Sequence, residues 1–213
     1  YWKGFLFILH NVNLEHLISY LPTNGDLFVK KWLENHYVLL RITRRRETKL
    51  GDYRKLMEND RHQITVNGDL NPFAFFFVFT HEVAHLKTFV QFDSRTINPH
   101  GKEWKTIFGS LLLDSLHIYP DHLKPYILHH ARHPKASLGA DINISKFVIN
   151  DLKPNLSYLE DLDFGTLFSI GNRVFKKENK QKLRYLCLEL KSKKKYLINA
   201  TTTENKLQEN NHE

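Results

Sequence analysis

One long apolar segment, residues 72–92, constrains the fold of this chain more than any other feature. Asn71 is a favourable helix N-cap, and Pro72 takes the first helical position, where its missing N–H loses no hydrogen bond. The following residues are apolar on nearly every side of a helix, which is typical of a buried central helix. His81, Glu82 and His85 interrupt that surface. Ionisable groups are costly in such surroundings unless they have a partner, so they indicate a site.

The segments around this helix predict an α+β fold. Alternating apolar residues predict strands at 37–43 and 62–67, and the polar, basic segment 44–54 predicts a loop or an irregular hairpin. Segment 27–32 is expected to form either a turn of helix or an edge segment. Apolar periodicity predicts longer helices in three further segments. The predicted helices span 13–21, 102–117 and 121–131, the last capped by Asp121. Successive helices beside a small sheet are typical of an α+β layer architecture.

The C-terminal third has a different pattern from the rest of the chain. Residues 132–160 show little regularity, whereas short strands with turns at Gly171-Asn172 and Asn179-Lys180 follow. These strands are predicted at 165–170, 173–177, 182–190 and 196–200. We therefore expect a first domain over 1–160, a small basic antiparallel β subdomain over 161–200, and a polar, frayed tail over 201–213.

Cysteine content and hydropathy limit the compartment and the kind of metal site. Cys187 is the only cysteine among 213 residues, so neither an intrachain disulfide nor a cysteine-based zinc site can form, and a reducing cytoplasm is favoured. We expect an ordinary buried thiol there. The longest dense apolar run, 73–79, is far shorter than the about 20 residues that span a bilayer, so no membrane is expected as a partner. Residues 5–9 are too short for a signal-peptide core and are expected to belong to the fold.

The segment His81-Glu82-Val83-Ala84-His85 has the spacing of a metal-binding helix. Residues four apart lie on one face of a helix, so His81 and His85 can direct their imidazoles at one ion. Glu82 points to the side of that ion, where it can take a proton from a zinc-bound water. A catalytic zinc site uses three protein ligands and keeps the fourth position open, so one Zn²⁺ and a third ligand are predicted.

The third ligand has two candidates downstream. A metzincin would carry Gly and His where this chain has Thr88 and Gln91, so that class is excluded. His100 follows a Pro-containing turn that is long enough to return over the first helix, and it is the favoured ligand. Glu103, the alternative, is expected to face solvent or to cap the next helix. Five further histidines form a local excess without a ligand spacing and are expected at the surface or in packing: His117, His122, His129, His130 and His133.

The metal motif together with Pro99-His100-Gly101-Lys102-Glu103-Trp104 resembles the SprT-like zinc metalloproteases, the family that includes Spartan. Segments 49–54 and 64–67 also resemble the family's strand region before the active-site helix. The resemblance implies a minimal zincin-like domain, with His81, His85 and His100 as zinc ligands and Glu82 as general base. It also implies affinity for DNA and, from the eukaryotic members, cleavage of proteins bound or crosslinked to DNA. Many members end in a zinc ribbon with paired cysteines; this chain has only Cys187, so no second zinc is expected.

Positive charge is concentrated towards the C-terminus. Residues 165–213 hold eleven Lys and Arg against five Glu, a net +6 of the total +8. Such a strip, with Phe175 and Tyr185 among its cations, can follow a phosphate backbone and stack on bases of single-stranded DNA; the alternative is a solvated face. The candidate contacts are Lys176, Lys177, Lys180, Lys182 and Arg184, with Arg44, Arg45 and Arg46 as a second group.

Three functions remain open from the sequence. The first is a metalloprotease that hydrolyses peptide bonds in protein substrates, including DNA-associated ones. The second is a zinc-containing nucleic-acid-binding or adaptor protein without proteolytic activity, and the third is a zinc hydrolase acting on another substrate. Glu82 separates the first two, because a structural site closes its shell with four ligands and has no use for a glutamate base.

Overall fold

The computed structural model describes residues 6–8, 15–46, 48–56, 61–92, 97–137, 141–150, 157–182, 184–200 and 202–206. The chain forms two compact units, Tyr1–Ala136 and Ser137–Glu213. Helices and a small mixed sheet make up the first unit, and the second is dominated by an antiparallel sheet, so the predicted α+β class is confirmed. The division lies earlier than the boundary expected after residue 160, because Ile142, Leu159 and Leu162 belong to the core of the second unit.

The first unit contains a four-stranded sheet in the order β1-β2-β4-β3. Strands β2 and β4 are parallel, with Leu40 opposite Ile64, whereas the other two pairs are antiparallel. Strand β4 is buried along its whole length. Segment 51–55 is a strand, although the sequence predicted a loop or irregular hairpin there. Its residue pattern does not indicate a strand, but pairing with β4 supplies the backbone hydrogen bonds. The strands are β1 (Leu6–Ile8), β2 (Val38–Thr43), β3 (Gly51–Lys55) and β4 (His62–Asn67).

Five helices accompany this sheet in the described part of the first unit. They are α1 (Glu15–Ile18), α2 (Gly25–Leu33), α3 (Pro72–Gln91), α4 (Lys102–Asp114) and α5 (Lys124–Arg132), with a 3-10 turn at Leu116–Ile118. Helix α3 begins as predicted, with the Asn71 side chain accepting a hydrogen bond from the N–H of Ala74 at 2.8 Å. Asp121 does not cap α5; its carboxylate accepts from the Lys124 ammonium at 2.7 Å instead.

Helix α3 is the centre of the first unit. Four of its phenylalanines are at most 1% exposed: Phe75, Phe76, Phe77 and Phe79. By length and composition alone this helix could cross a membrane, but 67% of its most apolar window is buried inside the fold, as is usual for a core helix. The helix packs on both α4 and strand β3, so the residues near its middle are held between these two elements.

The described part of the second unit carries a six-stranded antiparallel sheet in the order β5-β10-β6-β7-β8-β9 and one α-helix, α6 (Ile142–Asn150), which the sequence did not predict. Cys187 is buried in its core, as expected. The predicted turn at Asn179-Lys180 is wrong, because both residues lie within β7. The strands are β5 (Ser157–Tyr158), β6 (Leu167–Ile170), β7 (Arg173–Gln181), β8 (Arg184–Glu189), β9 (Lys195–Asn199) and β10 (Thr203–Lys206). Strand β10 lies within the tail expected to be frayed, whose residues 207–213 are outside the described residues.

Candidate metal centre

Three half-buried histidines meet at one point in the first unit. His81 and His85 come from the middle of α3, and His100 comes from the turn before α4. One ring nitrogen from each lies within 4.8 Å of the others, and the Nε2 atoms of His81 and His100 are 3.3 Å apart. Two nitrogens bound tetrahedrally at about 2.0–2.1 Å from one zinc ion would be separated by roughly 3.3 Å. The cluster is therefore arranged to hold a metal ion.

The turn that carries His100 is short and ordered by its own backbone. The Gly101 N–H donates to the carbonyl of Asn98 at 2.9 Å, and α4 starts at the next residue. Glu103, the alternative ligand, is not part of the histidine cluster. Its carboxylate folds towards Gly101, since a Cβ built on that glycine would lie 3.1 Å from Oε2 of Glu103. Of the two candidates for the third ligand, His100, which the sequence favoured, is the residue that lies in the cluster.

Trp104 forms a wall behind the three histidines. Its ring centroid lies 4.7 Å from those of His81 and His100 and 5.4 Å from that of His85, and the side chain is fully buried. The indole packs against all three imidazoles. Sequence reasoning named Trp104 within the segment that resembles the metalloprotease family but gave it no part in the site. Its spacing of four residues from His100 on the following helix was the available signal.

Burial keeps the cluster in the state that binds metals. It lowers the pKa of His81 well below 6.5 and that of His85 to about 4, with the neighbouring histidines contributing in the same direction. Burial also lowers the pKa of His100, with the positive charge of Lys105 adding to the effect. All three imidazoles are consequently neutral at pH 7 and have lone pairs to offer.

Glu82 lies beside the cluster and is 6% exposed. Its carboxylate accepts a hydrogen bond from the backbone N–H of Tyr53 in β3. Gly51 leaves the room for it, because a Cβ at that position would overlap Oε1 of Glu82. Burial raises the pKa of Glu82 to about 8; the charge of Asp52 adds to this rise, while Arg46, Lys49 and the Tyr53 N–H oppose it. The carboxylate and the three histidines line one cavity of about 430 Å³.

Tyr53 supports His85 from the strand side of the cavity. The two rings are parallel within 6°, with centroids 6.3 Å apart, and the Tyr53 hydroxyl hydrogen-bonds to Nδ1 of His62 at 3.0 Å. Burial raises the pKa of Tyr53 above its ordinary value. Sequence reasoning missed this residue because it treated segment 44–54 as a loop or an irregular hairpin. A lone aromatic between charged residues, just ahead of a predicted strand, was the signal that could have revealed it.

The three arginines proposed as nucleic-acid contacts have different surroundings. Arg46 is committed to the protein, since its guanidinium donates to Asn67 Oδ1 at 2.8 Å, Thr65 Oγ1 at 3.0 Å and the Leu50 carbonyl at 3.3 Å. Arg45 lies 3.8 Å from the carboxylate of Asp69, and Arg44 is exposed. Arg46 is half-buried, and its hydrogen bonds fasten the segment that leads into β3. A role for Arg44 and Arg45 stays a prediction.

In the second unit, one member of the expected basic strip is internal. Lys177 is 2% exposed, and its ammonium donates to the carbonyls of Leu159 at 2.7 Å, Glu160 and Leu162. The two aromatics expected to stack on bases, Phe175 and Tyr185, are 3% and 4% exposed. Alternation along β7 turns Phe175 and Lys177 to the core, so none of the three can meet a nucleic acid. The other four cations are exposed: Lys176, Lys180, Lys182 and Arg184.

The local excess of histidines after α4 serves packing where the structure describes a contact. His130 is 1% exposed and lies edge-on to Phe77 and Phe108, and His117 packs on Phe28. Within the described residues, none of the five histidines joins a group that could hold a metal. The prediction that they pack or lie at the surface is confirmed for His130 and His117.

The first unit thus holds three neutral imidazoles and the buried carboxylate of Glu82, which follows His81 in the chain. All four side chains line one cavity. The resemblance of the sequence motifs to a protease family has no support from comparison with known proteins. The chain matches no protein-family model, no curated protein and no solved structure.

Proposed function

We propose that this protein is a zinc-dependent metalloprotease of zincin type, similar to the SprT-like enzymes. One observation carries the proposal: the buried carboxylate of Glu82 lines the same cavity as the three histidines without being part of their cluster. A structural zinc site needs four protein ligands, whereas a hydrolytic site combines three ligands with an open position and a nearby base. Glu82 is the group that a purely structural site would not require.

Zinc fits the donor set better than the other common divalent ions. Three neutral imidazoles suit zinc and other late transition metals, while magnesium and calcium prefer oxygen ligands. When bound, zinc would supply a Lewis acid and lower the pKa of a coordinated water to about 7. His81, His85 and His100 would hold it, and Trp104 would keep their rings in place.

Glu82 would move the proton in this reaction. A cation held by the neighbouring histidines favours the ionised carboxylate, which opposes the effect of burial on its pKa. Glu82 then takes a proton from the attacking water as the new C–O bond forms at the peptide carbonyl. The same oxygen returns the proton to the amide nitrogen as the C–N bond breaks, so acid and amine products leave and the carboxylate is regenerated.

The position of strand β3 supports a polypeptide substrate. Among the described strands β3 pairs only with β4, and its residues Gly51, Asp52 and Tyr53 line the cavity of the metal centre. An extended peptide can add to such an edge through backbone hydrogen bonds. A strand edge beside the reacting groups favours a peptide over a small-molecule substrate.

The proposal is tested by metal content and cleavage measured on the same preparations. Glu82→Gln should retain one zinc per chain and lose at least about a hundredfold in cleavage of an unfolded protein substrate, as expected for loss of a general base. His100→Ala should lose zinc, whereas Glu103→Ala, a control three residues further along in the first turn of α4, should keep it. Cleavage by Glu82→Gln at the wild-type rate would contradict the proposed role of the carboxylate.

Exposed cations in the second unit favour DNA-associated proteins among the substrates. Lys182 lies in the turn between β7 and β8, with Lys180 near the end of β7 and Arg184 at the start of β8. Their exposed charges can meet phosphates there. The wild-type chain should bind single-stranded DNA with an affinity that falls as salt rises. An absence of binding at low salt would remove DNA from the proposal. Binding without any proteolysis would favour the alternative function, a zinc-containing nucleic-acid-binding or adaptor protein.

A further inference from the structure

A second cavity, of about 650 Å³, lies between α4 and the end of α5. Five residues that carry or can carry positive charge line it, and no Asp or Glu does so. We call it the basic groove and define it by Lys102, Lys105, Arg132, His133 and Lys135. A groove lined by one sign of charge concentrates ligands of the opposite sign.

The basic groove adjoins the cavity of the metal centre at two places along the chain. His100 lines the metal cavity and Gly101 lines the groove; likewise Ala136 lines the metal cavity and Lys135 lines the groove. An extended peptide advances about 3.3 Å per residue. A peptide bound at the metal centre therefore brings side chains only a few residues away into the groove.

Among the residues that the structure describes, the cations of the groove differ from other lysines of the same unit in having no acidic partner. Lys30 pairs with Asp26, Lys31 with Asp114 and Lys124 with Asp121. Between described residues, no ion pair involves the groove cations: Lys102, Lys105, Arg132, His133 or Lys135. Their charge is available to a ligand rather than neutralised within the fold.

The lining favours acidic side chains of a polypeptide over a nucleic acid. Apart from the imidazole of His133, the groove has no aromatic ring on which bases could stack. Its remaining walls are mostly small residues, among them Gly101, Gly109 and Ser110. The groove is also short and lies beside the cavity that would hold the scissile bond.

We propose that the basic groove binds acidic residues of the substrate, so that the protein selects polypeptides with Asp or Glu a few residues from the cleaved bond. This inference rests on the proposed proteolytic function and names its substrate class. It adds a specificity surface to α4 and α5, outside the metal ligands and the general base.

The experiment separates binding from turnover by using the zinc-loaded full chain with Glu82→Gln. The probe is a fluorescein-labelled peptide with a central Ala-Leu bond flanked by glutamates, compared with the same peptide carrying glutamines. The glutamate peptide should bind more tightly, and its affinity should fall with salt. Lys105→Gln and Lys135→Gln should each weaken it about threefold, the scale of one exposed ion pair. Lys30→Gln, which removes the same charge from α2, should leave it unchanged.

Three results would overturn the inference. The first is equal affinity for the glutamate and glutamine peptides. The second is an equal loss of affinity in Lys30→Gln, which would indicate overall charge rather than a groove. The third is tighter binding of an oligothymidine of equal charge with the same losses in Lys105→Gln and Lys135→Gln, which would assign the groove to nucleic acid. Cleavage of both peptides by the wild-type chain without preference would leave the proteolytic function standing and still contradict this specificity.

Discussion

Glu82 is neighbour to a histidine of the metal cluster, yet its carboxylate is fastened to strand β3 by the Tyr53 N–H. This arrangement separates the group that would move protons from the groups that would bind the ion. It also places an ionisable carboxyl in a position that is 6% exposed. Without a cation beside it, such a group is neutral over part of the physiological pH range, which has a measurable consequence for stability.

We predict that Glu82→Gln stabilises the metal-free protein, and more so at higher pH. The pKa of Glu82 rises from its ordinary 4.5 to about 8 on folding, so between these values the folded state binds more protons than the unfolded state. Wild-type stability from this group therefore falls as pH rises through that window, by up to about 1.4 kcal/mol per pH unit. Glutamine does not titrate, so the free energy of unfolding of the variant has no such pH-dependent contribution. Urea unfolding in chelator at pH 5.5 and at pH 8 measures it, and a pH-independent difference between the two proteins would refute it.

At the scale of residues, the sequence reveals the three clustered histidines better than their surroundings. His81 and His85 follow from helical spacing, and His100 from the length of the turn that precedes α4. Tyr53 and Trp104 contact imidazoles of the same cluster. Both lie in segments that carry the family resemblance, but neither received a role, because a stacking contact requires only an aromatic in the right place. Their roles depend on which elements pack together, and this is decided by the whole fold.

At the scale of elements, α3 is predicted almost to the residue, while β3 and α6 are not. Helix α3 has an N-cap, a proline at its first position and a long apolar pattern, so local and tertiary preferences agree. Strand β3 is short and mostly charged, and it forms because β4 offers it a hydrogen-bonding edge. Helix α6 is rich in β-branched isoleucine and valine, which weakens the helical pattern; burial of Ile144 and Val148 compensates.

Strand β3 must carry glycine where it passes the carboxylate, and we predict that Gly51→Ala destabilises the first unit. A Cβ there would overlap Oε1 of Glu82 and lie 2.7 Å from Cγ1 of Val78 and 2.9 Å from Cγ of Glu82. Overpacking of this kind costs about 1–3 kcal/mol. Since two of the three contacts belong to Glu82, the double variant Gly51→Ala/Glu82→Ala should recover part of the loss. Urea unfolding of the wild type, the two single variants and the double variant measures this coupling. Strict additivity of the changes in unfolding free energy would contradict the contact.

Strand β7 contains an internal lysine, and we predict that Lys177→Met destabilises the second unit by about 3 kcal/mol. The substitution keeps much of the apolar stem but leaves the carbonyls of Leu159 and Leu162 without the ammonium that donates to them. Contact with the Tyr185 ring, 3.9 Å from the ammonium, is lost as well. Lys176→Met, on the exposed side of the same strand, is the control and should change stability little. Similar unfolding midpoints for the two variants would show that the buried bonds contribute little.

At the scale of the whole molecule, the order of predicted strands and helices indicates an α+β protein, but the composition does not locate its charge. The net +8 includes Lys177 and Arg46, whose groups are used inside the protein, as well as exposed cations of the β7–β8 turn. Charge counted along the chain cannot separate these cases, because alternation in a strand turns successive residues to opposite faces. The same limit explains the displaced unit boundary: residues 137–160 have a weak local pattern, and long-range packing assigns them to the second unit.

The ligands come from two separate segments, the middle of α3 and the turn before α4, so a bound ion would join them and stabilise the folded first unit. Binding to the folded state alone adds about 2.7 kcal/mol when the free ion is at a hundredfold its dissociation constant. For a chain of this size, that corresponds to a rise in Tm of about 5–10 °C. We expect zinc to produce this rise in chelator-treated full-length protein and magnesium not to, since imidazole nitrogens suit zinc and oxygen ligands suit magnesium. Differential scanning calorimetry measures the shift, and an equal rise in His85→Ala would show that the ion binds elsewhere.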